Sequence, residues 1–344
     1  MSVLHNKVNG KELKKALRES AQKRITLSFY KYLHILNARQ FRDNLYREWS
    51  KMSVLGRVYV AAEGINAQIS IPAEAKKVFQ DWIDSSSLNN TYLNFAYEDD
   101  GKSFFKLKIQ VKHKILADGI DAKVFDVTSP GTHLDAATFN RLTDDPETIL
   151  IDMRNHYETE VGHFKNAVLP DTDTFKETLK VVEEMIAGKE DKNIVMYCTG
   201  GIRCEKASAF YKSKGFVKVF QLRGGIIKYA NDAKSHGIPN KFIGKNFVFD
   251  ERLGERITDD IISQCHQCGE LCDTHVNCKN DACHLLFIQC EKCARKYGNC
   301  CSEECREFIQ LPEDEQKRLR RGRKLNQQIF RKGRKLKMEN HFLS

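Results

Sequence analysis

The chain has 344 residues, of which 41% are hydrophobic and 30% charged. This is ordinary soluble-protein composition, with room for two or three separately cored domains. No apolar run approaches the roughly 18 residues of a membrane span, and the N-terminal MSVLHNKVNGKELKKALRES lacks a signal-peptide core. The expectation is a cytoplasmic protein, whose twelve cysteines read as metal ligands or reactive thiols before disulfides.

Residues 1–24 form an N-terminal extension. Over 25–116, alternating stretches such as ITLSFYKYL and RVYVAAEGINAQISI flank helical ones such as ARQFRDNLYREWSKM and AEAKKVFQDWI, and FFKLKIQV closes the region. The order strand–helix–strand–strand–helix–strand predicts a ferredoxin-like (acylphosphatase-like) sandwich with its central turn at Glu63–Gly64. Polar residues alternating with apolar ones imply one solvated sheet face, an RNA platform or a bare surface.

Over 117–240 the pattern changes to alternating strands and helices. TILIDM and NIVMY are short, continuously apolar runs, as expected of buried parallel strands. Helices fit TFKETLKVVEEMIAG and CEKASAFYKSKG, and VKVFQL is a further strand before Gly224–Gly225. This is an α/β domain, whose chemistry lies at the carboxyl ends of its strands. Cys198 falls at such an end, in YCTGGIRCEKA.

A thiolate between a strand and a helix faces unpaired backbone N–H groups and the positive end of the helix dipole. Gly200 and Gly201 let the backbone curl so that those groups converge, and Arg203 adds a fixed positive charge. All three favour the anion, making Cys198 a nucleophile or a carrier of sulfane sulfur. Thr199, Gly200, Gly201, Ile202, Arg203 and Cys204 complete the anion-binding loop.

IDMRNHYETEVGHFKNAVLP (151–170), YCTGGIRCEKA and LRGGIIKYA (222–230) resemble the paired signatures of a rhodanese domain. The resemblance implies a persulfide on Cys198. Asp152, Arg154, Glu158, Gly162 and His163 match the family's upstream motif, whose role is to order sheet and loop. Cysteine phosphatases of similar fold need Cys-x5-Arg, whereas only four residues separate Cys198 from Arg203; the smaller ring suits sulfur better than phosphate. Cys204 is either a resolving thiol for Cys198 or a small residue packed under the loop.

The segment 241–310 is a Cys-rich zinc-type module, with ten cysteines between Cys265 and Cys305. Cys265/Cys268 and Cys290/Cys293 are C-x-x-C knuckles, and Cys278/Cys283 and Cys301/Cys305 are looser pairs. Interleaving in chain order gives two tetrahedral sulfur sites, the first pair with the third and the second with the fourth. Cys272, Cys300, His266, His275 and His284 are alternative ligands. Zinc suits an all-thiolate set, and a module this small has too little core to fold unaided.

The 311–344 tail is basic. Residues 317–337, KRLRRGRKLNQQIFRKGRKLK, carry eleven Lys or Arg and no acid; the rest of the chain, 45 basic against 46 acidic residues, is nearly neutral, so the net charge of +10 belongs to the tail. Such a segment attracts nucleic acid by counterion release. Leu319, Leu325, Ile329 and Phe330 are too few for a membrane-binding face.

Together, AEGIN, CTGGIRCEKASA and NC-x4-C…FIQCEKCA resemble the bacterial rhodanese-like tRNA uridine hydroxylases from about Ile25 to Cys305. That resemblance implies oxygen-dependent hydroxylation at carbon 5 of the wobble uridine, with molecular oxygen as co-substrate and the tRNA anticodon region as partner. No nucleotide-cofactor motif is evident. The two pairs His133/Asp135 and His156/Glu158 carry no signal of a metal site, because chance alone supplies ~1.5 His-x-acid pairs for 11 His and 46 acids. Two rival functions are a sulfurtransferase carrying a persulfide to tRNA or a carrier protein, and an RNA-binding scaffold. A sulfur-donor or redox protein would be a further partner.

Overall fold

The computed structural model describes Leu4 and residues 8–120 and 125–320. The basic run beyond Arg320, with Leu325, Ile329 and Phe330, lies outside the described residues. The chain divides into two compact units. The first runs through Arg154 and includes Asn166–Lys241 and Val248–Glu255; the second comprises Asn155–Lys165, Phe242–Phe247 and the residues from Arg256 onward.

The first unit opens with α1 (Gly10–Glu19), β1 (Arg24–Tyr32), α2 (Ala38–Lys51), β2 (Leu55–Ala61), β3 (Gly64–Pro72), α3 (Lys76–Ser85), β4 (Asn94–Phe95) and β5 (Leu107–Val111). The sheet order β4-β1-β3-β2-β5 contains the ferredoxin-like order, with β1 antiparallel to both β3 and β4. The closing strand of that motif is the two-residue β4. FFKLKIQV instead supplies a fifth strand, parallel to β2 at the opposite edge. Asn94–Phe95 is too short to show alternation, whereas LKIQV alternates clearly enough to take its place on paper. The apolar sheet face packs on α2 and α3 around Trp49, which is fully buried and meets Phe29, Phe79 and Trp82 at ring-centroid distances of 5.7–6.2 Å. Asn37 caps α2 by accepting from Gln40 N at 3.0 Å.

The unit continues with β6 (Thr132–Leu134), α4 (Ala136–Thr143) and β7 (Thr148–Asp152), and after an excursion into the second unit with α6 (Phe175–Ile186), β9 (Asn193–Tyr197), α7 (Ile202–Ser213), β10 (Val219–Leu222) and α8 (Gly225–His236). Four strands form a parallel sheet in the order β6-β10-β9-β7. Its apolar strands are buried on both faces, with Ile151, Met196, Leu179, Val182 and Phe210 in one core. Helix α6 starts with a capping box, Thr174 and Glu177.

In the second unit, α5 (His156–Thr159) leads to β8 (Gly162–Phe164), which pairs antiparallel with β11 (Phe242–Asn246). After β12 (Glu255–Arg256) come the hairpin of β13 (His275–Asn277) and β14 (Leu286–Ile288), then α9 (Glu291–Tyr297), α10 (Glu303–Gln310) and α11 (Glu313–Arg320). No helix among the described residues is long and apolar enough to cross a membrane.

Candidate active site and cysteine clusters

Cys198 follows the last residue of β9, and α7 begins at Ile202, placing Arg203 and Cys204 in its first turn. Gly201, at φ 102°, turns the chain so that its own N–H points back at the Cys198 Sγ, 3.1 Å away. The start of α8 clamps the other side: Ile226 N donates to Cys198 O at 3.0 Å and Ile227 N to Thr199 O at 3.2 Å. This approach needs Gly225. A Cβ there would overlap Cys198 O and lie 2.6 Å from Thr199 O, at a φ of +65°.

Cys198 is 1% exposed and Cys204 fully buried. Burial by itself pushes the Cys198 thiol up; the hydrogen bond with Cys204, the Arg203 guanidinium and the N–H groups of Cys204 and Arg203 more than offset it and bring Cys198 down to about 6. Cys204 moves the opposite way, raised first by burial and then by the neighbouring Cys198 thiolate. Cys198 is thus the anion at neutral pH and Cys204 the protonated partner. The Arg203 guanidinium reaches Thr199 Oγ1 at 3.4 Å and lies 5.9 Å from the centroid of the Phe249 ring.

The polar face of the N-terminal sheet is only partly solvated, because its β4–β1 end packs on this loop. Asn94 Nδ2 donates to Gly200 O at 3.2 Å, and Ser28 Oγ lies 3.8 Å from where a Gly200 Cβ would sit. Tyr30 OH donates to Glu205 Oε2 at 3.1 Å and would lie 3.0 Å from a Gly201 Cβ. His133 Nε2 meets the same Glu205 oxygen at 2.9 Å. Lys206, 3% exposed, pairs with Glu63 at 3.0 Å and with Asp118 at 2.5 Å. Burial, then the charges of Glu205 and the Cys198 thiolate, hold the Tyr30 phenol well above its ordinary value, so it remains a donor.

Sequence reasoning missed Tyr30, Asn94 and Glu205, and set His133 aside as part of a chance pair. One signal was available: Ser28, Tyr30 and Tyr32 recur on the face expected to be solvated, and two tyrosines there ask for cover. His133 and Asp135 do not converge, since Asp135 caps α4 by accepting from Thr138 N. Of the upstream motif, Asp152 holds Arg154 through bonds of 2.7–3.1 Å, both residues fully buried. Glu158 takes part in the capping box of α5. Gly162 and His163 lie in β8, paired with Gly244 and Ile243.

In the second unit, eight cysteines fall into two groups of four, Cys265, Cys268, Cys290 and Cys293, and Cys278, Cys283, Cys301 and Cys305. Within each group the sulfurs all lie within 4.8 Å of one another, a set that could hold a metal ion. Sγ–Sγ distances of 3.6 Å (Cys268–Cys290 and Cys283–Cys301) and 3.8 Å (Cys301–Cys305) compare with the ~3.8 Å edge of a tetrahedron with metal–sulfur bonds of ~2.3 Å. Cys290 N points at Cys265 Sγ and Cys301 N at Cys278 Sγ, at 3.4 and 3.5 Å. The alternative ligands stand outside both groups. Cys272 Sγ accepts from Thr274 N, Cys300 Sγ faces Gly298 O, and His266 is held between Glu160 Oε1 at 2.8 Å and Ile288 N at 3.4 Å.

Comparison with known proteins matches three family models in chain order: the UPF0176 acylphosphatase-like domain over residues 24–115, the rhodanese-like domain over 135–232 and the rhodanase C-terminal model over 243–306. Curated relatives match almost end to end. A tRNA uridine(34) hydroxylase of Photorhabdus laumondii is 54% identical over 336 residues, 97% of this chain and 96% of its own length. The protein of the same name from Enterobacter sp. (strain 638) has the same identity and coverage. That from Yersinia pestis is 54% identical over 338 residues, 98% of this chain and 95% of its own.

Proposed function

We propose that this chain, which belongs to the tRNA uridine(34) hydroxylase family, converts the wobble uridine of tRNA to 5-hydroxyuridine in the cytoplasm. The observation that carries the reading is the 54% identity over 97% of the chain. The environment of Cys198 supplies a chemistry that suits it.

A thiolate with a pKa of about 6 is a soft nucleophile, and carbon 6 of uracil is the soft electrophilic position of the ring. Addition there moves the ring's electron pair toward carbon 5 and O4, making carbon 5 electron-rich enough to take an oxygen atom. Loss of the carbon 5 proton with cleavage of the carbon 6–sulfur bond then restores the ring double bond and returns the thiolate. The net change at the base is a two-electron oxidation. With molecular oxygen as co-substrate, the second oxygen atom leaves as water, taking two electrons from a reductant such as a redox protein and two protons. Tyr30, held protonated, donates to Glu205 and stands against Gly201 at the rim of the loop.

Two structural zinc ions held by the four-cysteine groups complete the reading, supported by the all-thiolate donor sets and their spacing. The test is nucleoside mass spectrometry of tRNA from a strain lacking the gene, complemented with wild type or Cys198→Ala. Loss of 5-oxidised uridine, restored by the wild type alone, is expected. Unchanged 5-oxidised uridine overturns the proposal, and loss of a thiolated base in its place assigns the loop to sulfur transfer.

A further inference from the structure

The polar face of the N-terminal sheet extends beyond the part that touches Cys198's loop. Strand register sets one row across it, Ser28–Gln68–Arg57–Lys108, and the next, Tyr30–Asn66–Tyr59–Gln110. The loop sits at the Ser28/Tyr30 end. The opposite end, about 10–14 Å away at ~4.8 Å per strand, carries Arg57, Lys106, Lys108 and Lys112. None of these cations has a carboxylate partner among the described residues. Lys108 is lowered by burial and then by Lys106, Arg57 and Lys112, the signature of like charges facing one another. Lys112 lies 5.6 Å from the centroid of the Tyr59 ring, so this ring and the cations share a surface.

Lysines on an edge strand also block edge-to-edge pairing, and that accounts for β5 alone. It does not account for Arg57 or Tyr59, which stand on the inner strand β2. The face is bordered at both ends. Thr26 is bonded to Asp99 and Ser103, and Asn66 Nδ2 reaches Ile115 O at 3.4 Å. What stays open is a strip floored by Gln68, Arg57 and Tyr59 that runs from the cationic edge toward the loop.

We propose that this strip seats the RNA strand beside the target nucleotide, Arg57 and Lys108 holding phosphates and Tyr59 offering its ring to a base. Unpaired cations beside a half-buried aromatic on a sheet face suit single-stranded RNA, whose charge and base faces are both presented. The proposal rests on the RNA substrate assigned above.

The test uses the full chain and a fluorescent RNA hairpin with uridine at the first anticodon position, titrated across a range of KCl. Arg57→Gln/Lys108→Gln is expected to bind about tenfold more weakly, with the log–log salt slope reduced by ~1.4 for two lost single-strand phosphate contacts. Tyr59→Ala is expected to lose about tenfold with the slope unchanged. Lys106→Gln/Lys112→Gln is a second charge pair, and melting temperature with the Cys198 alkylation rate verifies that each variant is folded. Wild-type affinity and slope in all three variants would overturn the strip and leave the hydroxylase reading standing. A wild-type chain that does not bind the hairpin would overturn both.

Discussion

Tyr30 and Glu205 lie 175 residues apart and share a 3.1 Å hydrogen bond that fastens the N-terminal sheet to the first turn of the loop helix. Because His133 holds the same carboxylate oxygen, Tyr30→Phe leaves Glu205 with a partner and is expected to cost about 1 kcal/mol in chemical denaturation. Tyr30→Ala also removes the ring that stands against Gly201. Its expected effect is faster alkylation of Cys198 by iodoacetamide, with the fold retained. An unchanged rate in the alanine variant would show that the ring does not cover the thiol.

The alkylation rate should rise with pH through a midpoint near 6 and level off above it, where an ordinary thiol of pKa about 8.5 would still be climbing. Arg203→Leu removes one of the groups that lower Cys198, and its midpoint is expected to move upward. The same shift enters stability. Between about 6 and the unfolded thiol's higher value, the native state has released a proton that the unfolded chain keeps. Stability from this group is therefore fully present above the unfolded pKa and is lost as pH falls to the folded one. Urea denaturation across that window should show a slope that is more positive in the wild type than in Cys198→Ala, the difference being the contribution of this thiol.

Much of this architecture is legible in sequence because its signals are local. TILIDM and NIVMY are apolar throughout since both faces of a parallel strand are buried, and Gly200–Gly201 before a helix announces a backbone that curls. The C-x-x-C knuckles carry their chemistry in their spacing. What escapes is relational. Asn94 is an ordinary polar residue until β4 is placed beside β1 and its amide is found 3.2 Å from Gly200 O. FFKLKIQV alternates well enough to be a strand, yet alternation does not say at which edge it pairs. Likewise nothing local to Lys206 announces that Asp118 and Glu63 enclose it.

Gly225→Ala is a test of the loop itself. Its Cβ would meet Cys198 O and Thr199 O at a backbone conformation that L residues rarely adopt. The α8 start would have to back away, breaking the bonds from Ile226 N and Ile227 N. A loss of more than about 2 kcal/mol is expected, together with a rise in the Cys198 alkylation midpoint as the loop loosens. Gly188→Ala, where nothing lies within 4 Å of the added carbon, shares the positive φ without the overlap, and its smaller loss isolates the contribution of the clamp.

The two four-sulfur groups make a count that can be checked. Each full set of thiols at tetrahedral spacing should hold one zinc, so two ions per chain are expected on release by a mercurial reagent and colorimetric titration. Cys268→Ser and Cys283→Ser each strike one group and should each lower the count to one. Cys272→Ser and Cys300→Ser lie outside both groups and should leave it at two. Because the groups interleave along the chain, each ion would tie a segment to one roughly twenty residues away, Cys268 to Cys290 and Cys283 to Cys301. Around the Cys278 group the apolar core is Leu285 and Phe287 with Val276 and Ile309 packed against it, too small to stand without the metal, and binding energy in such modules is folding energy. Loss of the 275–305 region's amide protection in hydrogen exchange is therefore expected on chelation. The parallel sheet around Ile151 and Met196 should keep its protection, because its core contains none of these cysteines.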